Sequence, residues 1–574
     1  MDADVLTAPE RVSPPTTDPQ WWRSAVIYEI YVRSFADGDG DGTGDLAGVR
    51  SRLPYLRDLG VDAIWFTPWY ASPLADGGYD VSDYRAIHPD FGDLSEAEAL
   101  IREALALGIR TIIDVVPNHV SDRHAWFQAA LAAGPGSPER ERFWFRDGTG
   151  PAGDGIPTHW VSPFAGDTWT RTTSPDGTPG QWYLHLFAKE QPDLNWNHPD
   201  VRREHEEILR FWFDRGAAGV RIDSAALLVK DPELREVPDV VGPGEHPTED
   251  RDEIHDIYRG WRAVADTYPG TRVLVGELWV PDIDRFVQYL RPDELHTAFN
   301  FDFLARPWDA AELRASIDAT LAAHAPVHAP STWVLSNHDV TRPVTRYGRA
   351  DSSFAFLDKR FGTPTDLDLG TRRARAAALL TGALPGSLYI YQGDELGLPE
   401  VEDIPRELLQ DPMHYRSGGV DPGRDGCRVP LPWSGDLPPY GFSTGAVSAA
   451  PWLPQPASWA RYTVQSEAAD PRSMLALYRA ALRIRRAEPL GDGPFAWLDD
   501  APEGTLAFRR GDAFLSITNL AGHPVPLPAG ELLLASDELG QAADGSRELP
   551  PDSTAWLRPQ QQATENHHQR KARR

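Results

Sequence analysis

The 574-residue chain contains 1 Cys and only 3 Met. Because Cys427 is the single cysteine, an intrachain disulfide and a thiolate metal cage are both excluded. No stretch reaches the roughly 18 apolar residues of a membrane-spanning helix, and the first residues lack the basic and apolar segments of a secretion signal. We therefore expect a cytoplasmic protein with no membrane partner.

Positive charge is also scarce, since 56 Lys and Arg residues stand against 85 Asp and Glu residues, a formal net charge of −29. This balance argues against nucleic acid and anionic membranes as partners, because both need a basic surface. A small neutral substrate would be indifferent to the charge. We expect a monomer or a homodimer, with a flexible N-terminus over residues 1–20 and a disordered, basic tail over residues 559–574.

Short apolar segments rich in Val, Ile and aromatic residues alternate with stretches of helical period along most of the chain. Eight such pairs in one run favour a closed (β/α)₈ TIM barrel, because closure removes both edges of the sheet. The predicted strands span residues 26–31, 63–67, 110–116, 219–223, 273–278, 297–302, 333–339 and 387–392. Predicted helices include 95–107, 201–215, 310–324, 371–380 and 472–486.

Two insertions and a change of pattern divide the chain into domains. Residues 120–190, dense in Gly, Pro and Trp, predict a small domain inserted after the third strand, and residues 394–470 form a long insertion after the eighth. The barrel itself takes residues 21–119 and 191–489. Alternating apolar residues over 490–558 predict an antiparallel β-domain. Since loops that follow barrel strands form the active-site face, both insertions should wall the substrate cleft.

Carboxylates stand at the ends of three predicted barrel strands. Asp223, Glu277 and Asp339 end strands four, five and seven. Like charges in one dry pocket are costly unless they are used, so this coincidence indicates catalysis rather than three separate caps or ion pairs. Paired carboxylates at a barrel mouth suit glycoside hydrolysis, in which one is ionised and the other protonated.

The neighbours of these carboxylates indicate which one is ionised and which one is protonated. Arg221 lies two residues before Asp223, so in a strand both side chains face the same side, and the guanidinium should hold Asp223 ionised. Glu277 has no arginine nearby in sequence and stands next to Leu278 and Trp279. An apolar neighbourhood raises the pKa of a carboxyl, as a proton donor requires.

Five segments, in this order, carry a resemblance: DVVPNH at 114–119, QPDLNW at 191–196, GVRIDSA at 219–225, GELW at 276–279 and SNHD at 336–339. They closely resemble the signature segments of the α-amylase family of glycoside hydrolases, in its α-glucosidase and oligo-1,6-glucosidase branch. The resemblance implies that Asp223 is the nucleophile and Glu277 the general acid and base. It implies that Asp339 grips sugar hydroxyls and helps to keep Glu277 protonated.

The resemblance also implies a set of substrate contacts. His119 and His338 would hydrogen-bond glucosyl hydroxyls, and Arg221 would orient the nucleophile. The pocket walls and its closed end are then assigned to four further residues: Asp76, Tyr79, Phe164 and Arg428. Asp76 would cap the non-reducing glucose and pair with Arg428, while Tyr79 and Phe164 supply aromatic walls. A pocket closed in this way holds one glucosyl unit, so the enzyme should act from the chain end.

The linkage preference is read from the residue after the nucleophile. Enzymes of this branch that cleave α-1,6 bonds tend to have Val there, and those that cleave α-1,4 bonds a smaller or hydroxylated residue; here it is Ser224. We therefore expect hydrolysis of α-1,4 bonds, as in maltose, with sucrose as a further candidate and with transglucosylation as a side reaction.

Other readings stay open at this point. An oligo-1,6-glucosidase and a sucrose- or trehalose-directed glucosyltransferase or isomerase would share every catalytic residue. A non-catalytic barrel relative would usually lose a carboxylate and carry a membrane span, and a metal-dependent hydrolase would want several His and Asp ligands at the strand ends. Neither of these last two fits the motifs as well.

An acidic, glycine-rich loop precedes the second strand. It offers a carboxylate at alternate positions and a backbone carbonyl at the seventh, which is the oxygen-ligand spacing of a Ca²⁺ loop: Asp37, Asp39, Asp41, Thr43 and Asp45. Gly48 stands where an EF-hand has its bidentate Glu. The sequence therefore predicts a rigid structural site for Ca²⁺ or Mg²⁺ rather than a sensor.

Overall fold

The computed structural model describes residues 18–559 except 175, 357 and 446, so most of the predicted N-terminal segment and tail lie outside it. One sheet of eight parallel strands forms the barrel: β1 Val26–Ile30, β2 Ala63–Phe66, β3 Arg110–Val115, β4 Gly219–Ile222, β5 Val273–Gly276, β6 Thr297–Ala298, β7 Thr332–Val334 and β8 Ser387–Tyr391. Their order is β6-β5-β4-β3-β2-β1-β8-β7. The Asn300 N–H donates to the Thr332 carbonyl (3.0 Å) across the remaining gap. The predicted barrel is confirmed.

Seven longer helices surround the strands: α1 Leu46–Leu59, α2 Leu94–Ala106, α3 Pro199–Asp214, α4 Ile254–Ala265, α5 Ala310–His324, α6 Leu367–Ala383 and α7 Met474–Ala487. Helix α2 illustrates how the sequence sets a boundary, since Asp93 and Glu96 form a capping box at its start. Shorter helices span Val32–Phe35, Ala125–Ala133, Ile283–Phe286, Phe301–Ala305, Pro343–Tyr347, Pro412–Arg416 and Val464–Ala469. No helix among the described residues is both long and apolar enough to cross a membrane.

Two predicted strands are shorter than expected by four residues or more, and two of the seven longer helices were not predicted. Strand β6 stops at Ala298 because the Asn300 side chain accepts from the Phe303 N–H and begins a helix there. Strand β7 ends at Val334, well before Asp339. The two longer helices that were not predicted are α1, which contains Pro54, and α4, which follows a long Pro-rich loop.

The inserted and C-terminal parts are small sheets. In the insertion after β3, strands Phe145–Arg146, Trp169–Thr173 and Pro179–Leu184 form an antiparallel sheet. In the loop after β2, Tyr70–Ala71 pairs with Asp83–Ile87. The C-terminal sheet contains β9 Phe495–Trp497, β10 Thr505–Arg510, β11 Phe514–Asn519, β12 Gly530–Ala535 and β13 Ser553–Pro559. A smaller sheet adds Val525–Pro526, Gly540–Gln541 and Arg547–Leu549. The predicted antiparallel domain is therefore confirmed, and Trp556 of β13 donates to the Leu379 carbonyl of α6 (3.1 Å).

A buried ion pair at the barrel mouth joins the loop after β4 to the chain on either side of the inserted segment. Lys230, in the loop after β4, lies 2.8 Å from Asp193, and both side chains are fully buried. The Lys230 ammonium also donates to Asn118, which follows β3, and to the Leu227 carbonyl at 2.7 Å. One cation thereby holds both ends of the insertion to the loop after β4.

Replacing Lys230 by Met should therefore destabilise the protein. The change leaves the Asp193 carboxylate buried without its cation, which costs about 3 kcal/mol or more, so thermal unfolding should begin at a lower temperature than in wild type. Arg235→Met is the control, because its partner Asp231 loses only a contact with a largely exposed guanidinium. Equal melting temperatures for the two variants would contradict this role of Lys230.

Candidate active site

The carboxyl ends of three barrel strands bring the predicted carboxylates together. Asp223 directly follows β4, Glu277 directly follows β5, and Asp339 lies in the turn after β7. All three line one cavity of 730 Å³. This volume is in the range of pockets that hold small organic ligands.

One guanidinium organises the floor of this cavity. Arg221, fully buried, lies 2.8 Å from Asp223 Oδ1 and 3.1 Å from both oxygens of Asp114. Its other terminal nitrogen lies 2.7 Å from Glu277 Oε2. The contact with Asp223 follows from the spacing along β4, but the contact with Glu277 depends on β4 and β5 being neighbours and was not predicted.

Glu277 can hold a proton at neutral pH. Burial raises its pKa to about 7, with the guanidinium of Arg221 opposing the rise and the charges of Asp223 and Asp339 adding to it. Its Oε2 also accepts from the Ser224 N–H at 2.9 Å, and its Oε1 from the indole N–H of Trp279 at 3.2 Å. Burial raises the pKa of Asp223 as well, but here too Arg221 acts against it.

Asp339 is held as a carboxylate. Its Oδ1 lies 2.7 Å from a guanidinium nitrogen of Arg428 and 3.1 Å from one of Arg424, and its Oδ2 lies 3.5 Å from Nε2 of His338. Burial alone would raise the pKa of Asp339, but these three cationic or donor groups hold it below the usual range. An ionised Asp339 is a strong acceptor for hydroxyl groups of a ligand.

The closed end of the cavity is formed by Asp76 and Arg424, which are 2.6 Å apart. The predicted pair of Asp76 with Arg428 is therefore wrong. A short 3₁₀ turn, Asp425–Cys427, separates the two arginines, and it directs Arg428 to Asp339 and to the His338 carbonyl instead. The segment RDGCR contains two arginines, Arg424 and Arg428, either of which could have paired with Asp76, and the resemblance assigned this role to Arg428.

The other predicted substrate residues divide into two groups. Tyr79, His119 and Phe164 line the cavity together with Asp76, whereas Arg221, His338 and Arg428 lie behind its wall and act through their neighbours. Burial lowers the pKa of His119 to about 4, so its imidazole is neutral. The Tyr79 ring stacks on His338 with centroids 5.2 Å apart, and its hydroxyl donates to Asp114 at 3.1 Å.

Several residues that line the cavity or hold its lining in place were not predicted from the sequence. Gln191 donates to Asp76 at 3.0 Å, and Arg424 binds Asp411 at 2.6 Å. Trp279 was considered only as an apolar neighbour, yet it is 39% exposed, lines the cavity and stacks on Phe301 with centroids 4.0 Å apart. Gln191 and Trp279 belong to the quoted motifs, so their place in QPDLNW and GELW was the usable signal.

The acidic loop before α1 brings together three of the five predicted ion ligands. Oxygens of Asp37, Asp39 and Asp45 lie within 4.8 Å of one another. Asp41 is not in this group, and its Oδ1 accepts from the Thr43 N–H at 2.7 Å. Asp45 also caps α1, so its oxygens serve the backbone as well as any cation.

Comparison with known proteins adds independent findings. Residues 29–493 match the family described as "Alpha amylase, catalytic domain". A probable alpha-glucosidase from Rhizobium meliloti (strain 1021) is 38% identical over 496 residues, which is 82% of this chain and 84% of that protein. The trehalose-6-phosphate hydrolase of Escherichia coli (strain K12) is 33% identical over 560 residues, 90% of this chain and 93% of that protein.

A solved structure resembles the whole fold. The crystal structure of the alpha-glucosyl transfer enzyme XgtA has a TM-score of 0.79 and 36% sequence identity, and the match covers 94% of this chain and 99% of that one.

Proposed function

Because this chain belongs to the α-amylase family of glycoside hydrolases, we propose that it is a retaining, exo-acting α-glucosidase that removes terminal α-1,4-linked glucose from maltose-like oligosaccharides. One observation carries the proposal. Asp223 and Glu277 contact the same guanidinium in a cavity whose far end is closed by Asp76 and Arg424. Two carboxyls that share one guanidinium are close neighbours, in keeping with the short spacing of retaining enzymes.

The carboxyls divide the chemistry between them. Asp223, ionised on Arg221, attacks the anomeric carbon while Glu277 gives its proton to the leaving oxygen, and a glucosyl ester forms on Asp223. Glu277 then takes a proton from water, which attacks the same carbon and releases glucose. Asp339, held by Arg424 and Arg428, receives hydroxyls of the bound glucosyl unit.

The electrostatics of the site support this change of role. The charge of Asp223 raises the pKa of Glu277. When Asp223 is esterified, that charge is lost and the pKa of Glu277 falls, so the same carboxyl becomes a base at the moment when a base is needed.

Cleavage from the chain end follows from the Asp76 and Arg424 pair. Their 2.6 Å contact crosses the far side of the cavity, and Gln191 holds the second oxygen of Asp76. A second sugar beyond the glucosyl unit would have to break this buried pair, which is costly.

Linkage and substrate class rest on two features of the wall. Ser224 lines the cavity directly after the nucleophile, and its small side chain supports the α-1,4 preference. The two guanidiniums that line the cavity in the described residues are both neutralised, since Arg285 binds Asp250 and Asp252, and Arg424 binds three carboxylates. Neither is free for a phosphate, so we propose unphosphorylated substrates. Sucrose and transfer to sugar acceptors remain alternatives on the same site.

We also propose that the acidic loop binds a structural Ca²⁺ or Mg²⁺. The donor set fits a hard cation, because Asp37, Asp39 and Asp45 gather carboxylate oxygens within 4.8 Å, and Asp37 and Asp45 are buried. The ion would offset their mutual repulsion and stabilise the loop that leads into α1. A cytoplasmic location is proposed from the single cysteine alone.

A substrate panel tests the proposed function. Maltose should be hydrolysed faster than isomaltose, maltotriose should first give glucose and maltose, and trehalose 6-phosphate should be a poor substrate, all measured by chromatography of early products. Asp223→Asn is the control and should abolish turnover without changing the melting temperature. Faster cleavage of isomaltose, or new disaccharides in place of glucose, would assign the protein to one of the alternatives.

The pH dependence tests the role of Glu277. Activity should fall as the pH rises through about 7, because the proton donor is lost. Trp279→Phe keeps a ring on Phe301 but removes the N–H that stabilises the Glu277 carboxylate. The pKa of Glu277 should then rise, moving the basic limb of the kcat/KM profile upward by about one pH unit or less. Trp497→Phe, in the C-terminal domain, is the control and should leave the profile unchanged. An unchanged profile for Trp279→Phe would contradict the role of the indole N–H.

Ion removal tests the acidic loop. Treatment with a chelator should lower the melting temperature of the wild-type protein, and added Ca²⁺ should restore it. In Asp39→Asn, which removes one exposed carboxylate of the cluster, the same treatment should have a smaller effect. If chelator leaves the melting temperature of the wild-type protein unchanged, the proposed structural ion is contradicted.

A further inference from the structure

A buried carboxyl on the first strand lies behind the cavity and has no role in the chemistry described above. Glu29 of β1 is 2% exposed, and its Oε1 is 2.5 Å from Nδ1 of His338, which is fully buried. The backbone N–H of His338 points to the same oxygen at 3.4 Å. A contact this short between a carboxyl and an imidazole contains one proton, which belongs to either partner.

The second ring nitrogen links this pair to the substrate. His338 Nε2 has no hydrogen-bond partner among the described residues and lies 3.5 Å from Asp339 Oδ2. The ring cannot turn away, because it is stacked between Tyr79, at 5.2 Å, and Tyr31, at 5.9 Å. Glu29, His338 and Asp339 therefore form a continuous chain from the barrel core to the cavity wall.

The position of the proton on the His338 ring determines whether the contact between Nε2 and the Asp339 carboxylate is attractive or repulsive. A neutral imidazole has one N–H, so a proton on Nδ1 leaves a lone pair on Nε2, facing the lone pairs of the Asp339 carboxylate. If Nδ1 instead accepts a hydrogen bond from the O–H of a protonated Glu29, the ring N–H is on Nε2 and points at Asp339. Of these two arrangements, only the second places an O–H of Glu29 opposite Nδ1 and an N–H of His338 opposite the Asp339 carboxylate.

The surrounding charges favour the same arrangement. Glu29 faces Arg221, but also the carboxylates of Asp339 and Asp114 and the hydroxyls of Tyr389 and Tyr391 on β8. Burial raises the pKa of Glu29 well above its usual range, and Arg221 offsets this only in part. Burial also lowers the pKa of His338, an effect to which the charges of Arg428, Arg221 and Arg424 add while Asp339 opposes it.

We propose that Glu29 is a positioning residue, a protonated carboxylic acid that donates to His338 Nδ1 and so keeps the His338 N–H on Nε2, directed at Asp339 and the sugar hydroxyl that Asp339 binds. Asp339 is thereby fixed on both oxygens, by the guanidiniums on Oδ1 and by the imidazole on Oδ2. The inference rests on the proposed function only for the contact of Asp339 with substrate.

Two variants of nearly equal size test whether His338 needs a hydrogen-bond partner at position 29. In Glu29→Gln the amide N–H replaces the carboxylic O–H as donor to Nδ1, so kcat/KM for maltose and its pH profile should stay close to wild type. Glu29→Met provides no donor, and kcat/KM should fall roughly tenfold or more, the effect of one lost hydrogen bond. An activity of Glu29→Gln as low as that of Glu29→Met would contradict the donor role, and equal activity of all three proteins would show that Glu29 has no such role. Because an amide can also accept from Nδ1–H, the protonation state of Glu29 itself is tested spectroscopically.

Infrared difference spectroscopy gives a readout that needs neither substrate nor activity. The wild-type spectrum minus that of Glu29→Gln should contain the C=O stretch of a protonated carboxyl at neutral pH, and a carboxylate band in its place would overturn the inference. This result also decides the matter if Glu29→Met fails to fold, as judged by its melting curve. A protein that showed the protonated band but did not hydrolyse maltose would contradict the proposed function and leave the Glu29 arrangement standing.

Discussion

The buried guanidinium of Arg221 is the contact on which the rest of the site depends. Asp114, Asp223 and Glu277 would repel one another in a cavity that excludes water, and their only shared partner among the described contacts is this cation. Its position is set by the barrel itself. In the parallel register Arg221 stands beside Asp114 on β3 and beside Val275 on β5, just ahead of Glu277.

One cation cannot neutralise three carboxylates fully, and the negative charge that is left uncompensated helps to keep a proton on Glu277. Asp223 shares its guanidinium nitrogen with Asp114, while Glu277 is left with a pKa of about 7. The site is therefore poised between one ionised and one protonated carboxyl, as double displacement at an anomeric carbon requires. Around this centre, Arg424 and Arg428 fix Asp339, and the Glu29 and His338 pair extends the same hydrogen-bonded order into the core.

The sequence predicted the barrel and the three carboxylates because both depend on local patterns. Strand ends of a parallel barrel share one face, so residues such as Asp223 and Glu277 had to be near each other once their strands were recognised. Local patterns could not show contacts made across the fold. The choice between Arg424 and Arg428 depended on a 3₁₀ turn. The contact of Arg221 with Glu277 depended on which strands are neighbours in the barrel. The contact of Glu29 with His338 joins residues 309 positions apart. Strand β6 was overpredicted because a side-chain cap, not apolar content, ends it at Ala298.

The central claim is that Asp223 and Glu277 act as nucleophile and acid–base in a double displacement. The most direct test is a proton NMR time course of maltose hydrolysis, recorded faster than glucose mutarotates, to identify the first anomer released. The account predicts α-glucose, because two inversions at the anomeric carbon restore its configuration. Initial release of β-glucose would contradict it, since a single displacement by water would then leave Asp223 no role as nucleophile.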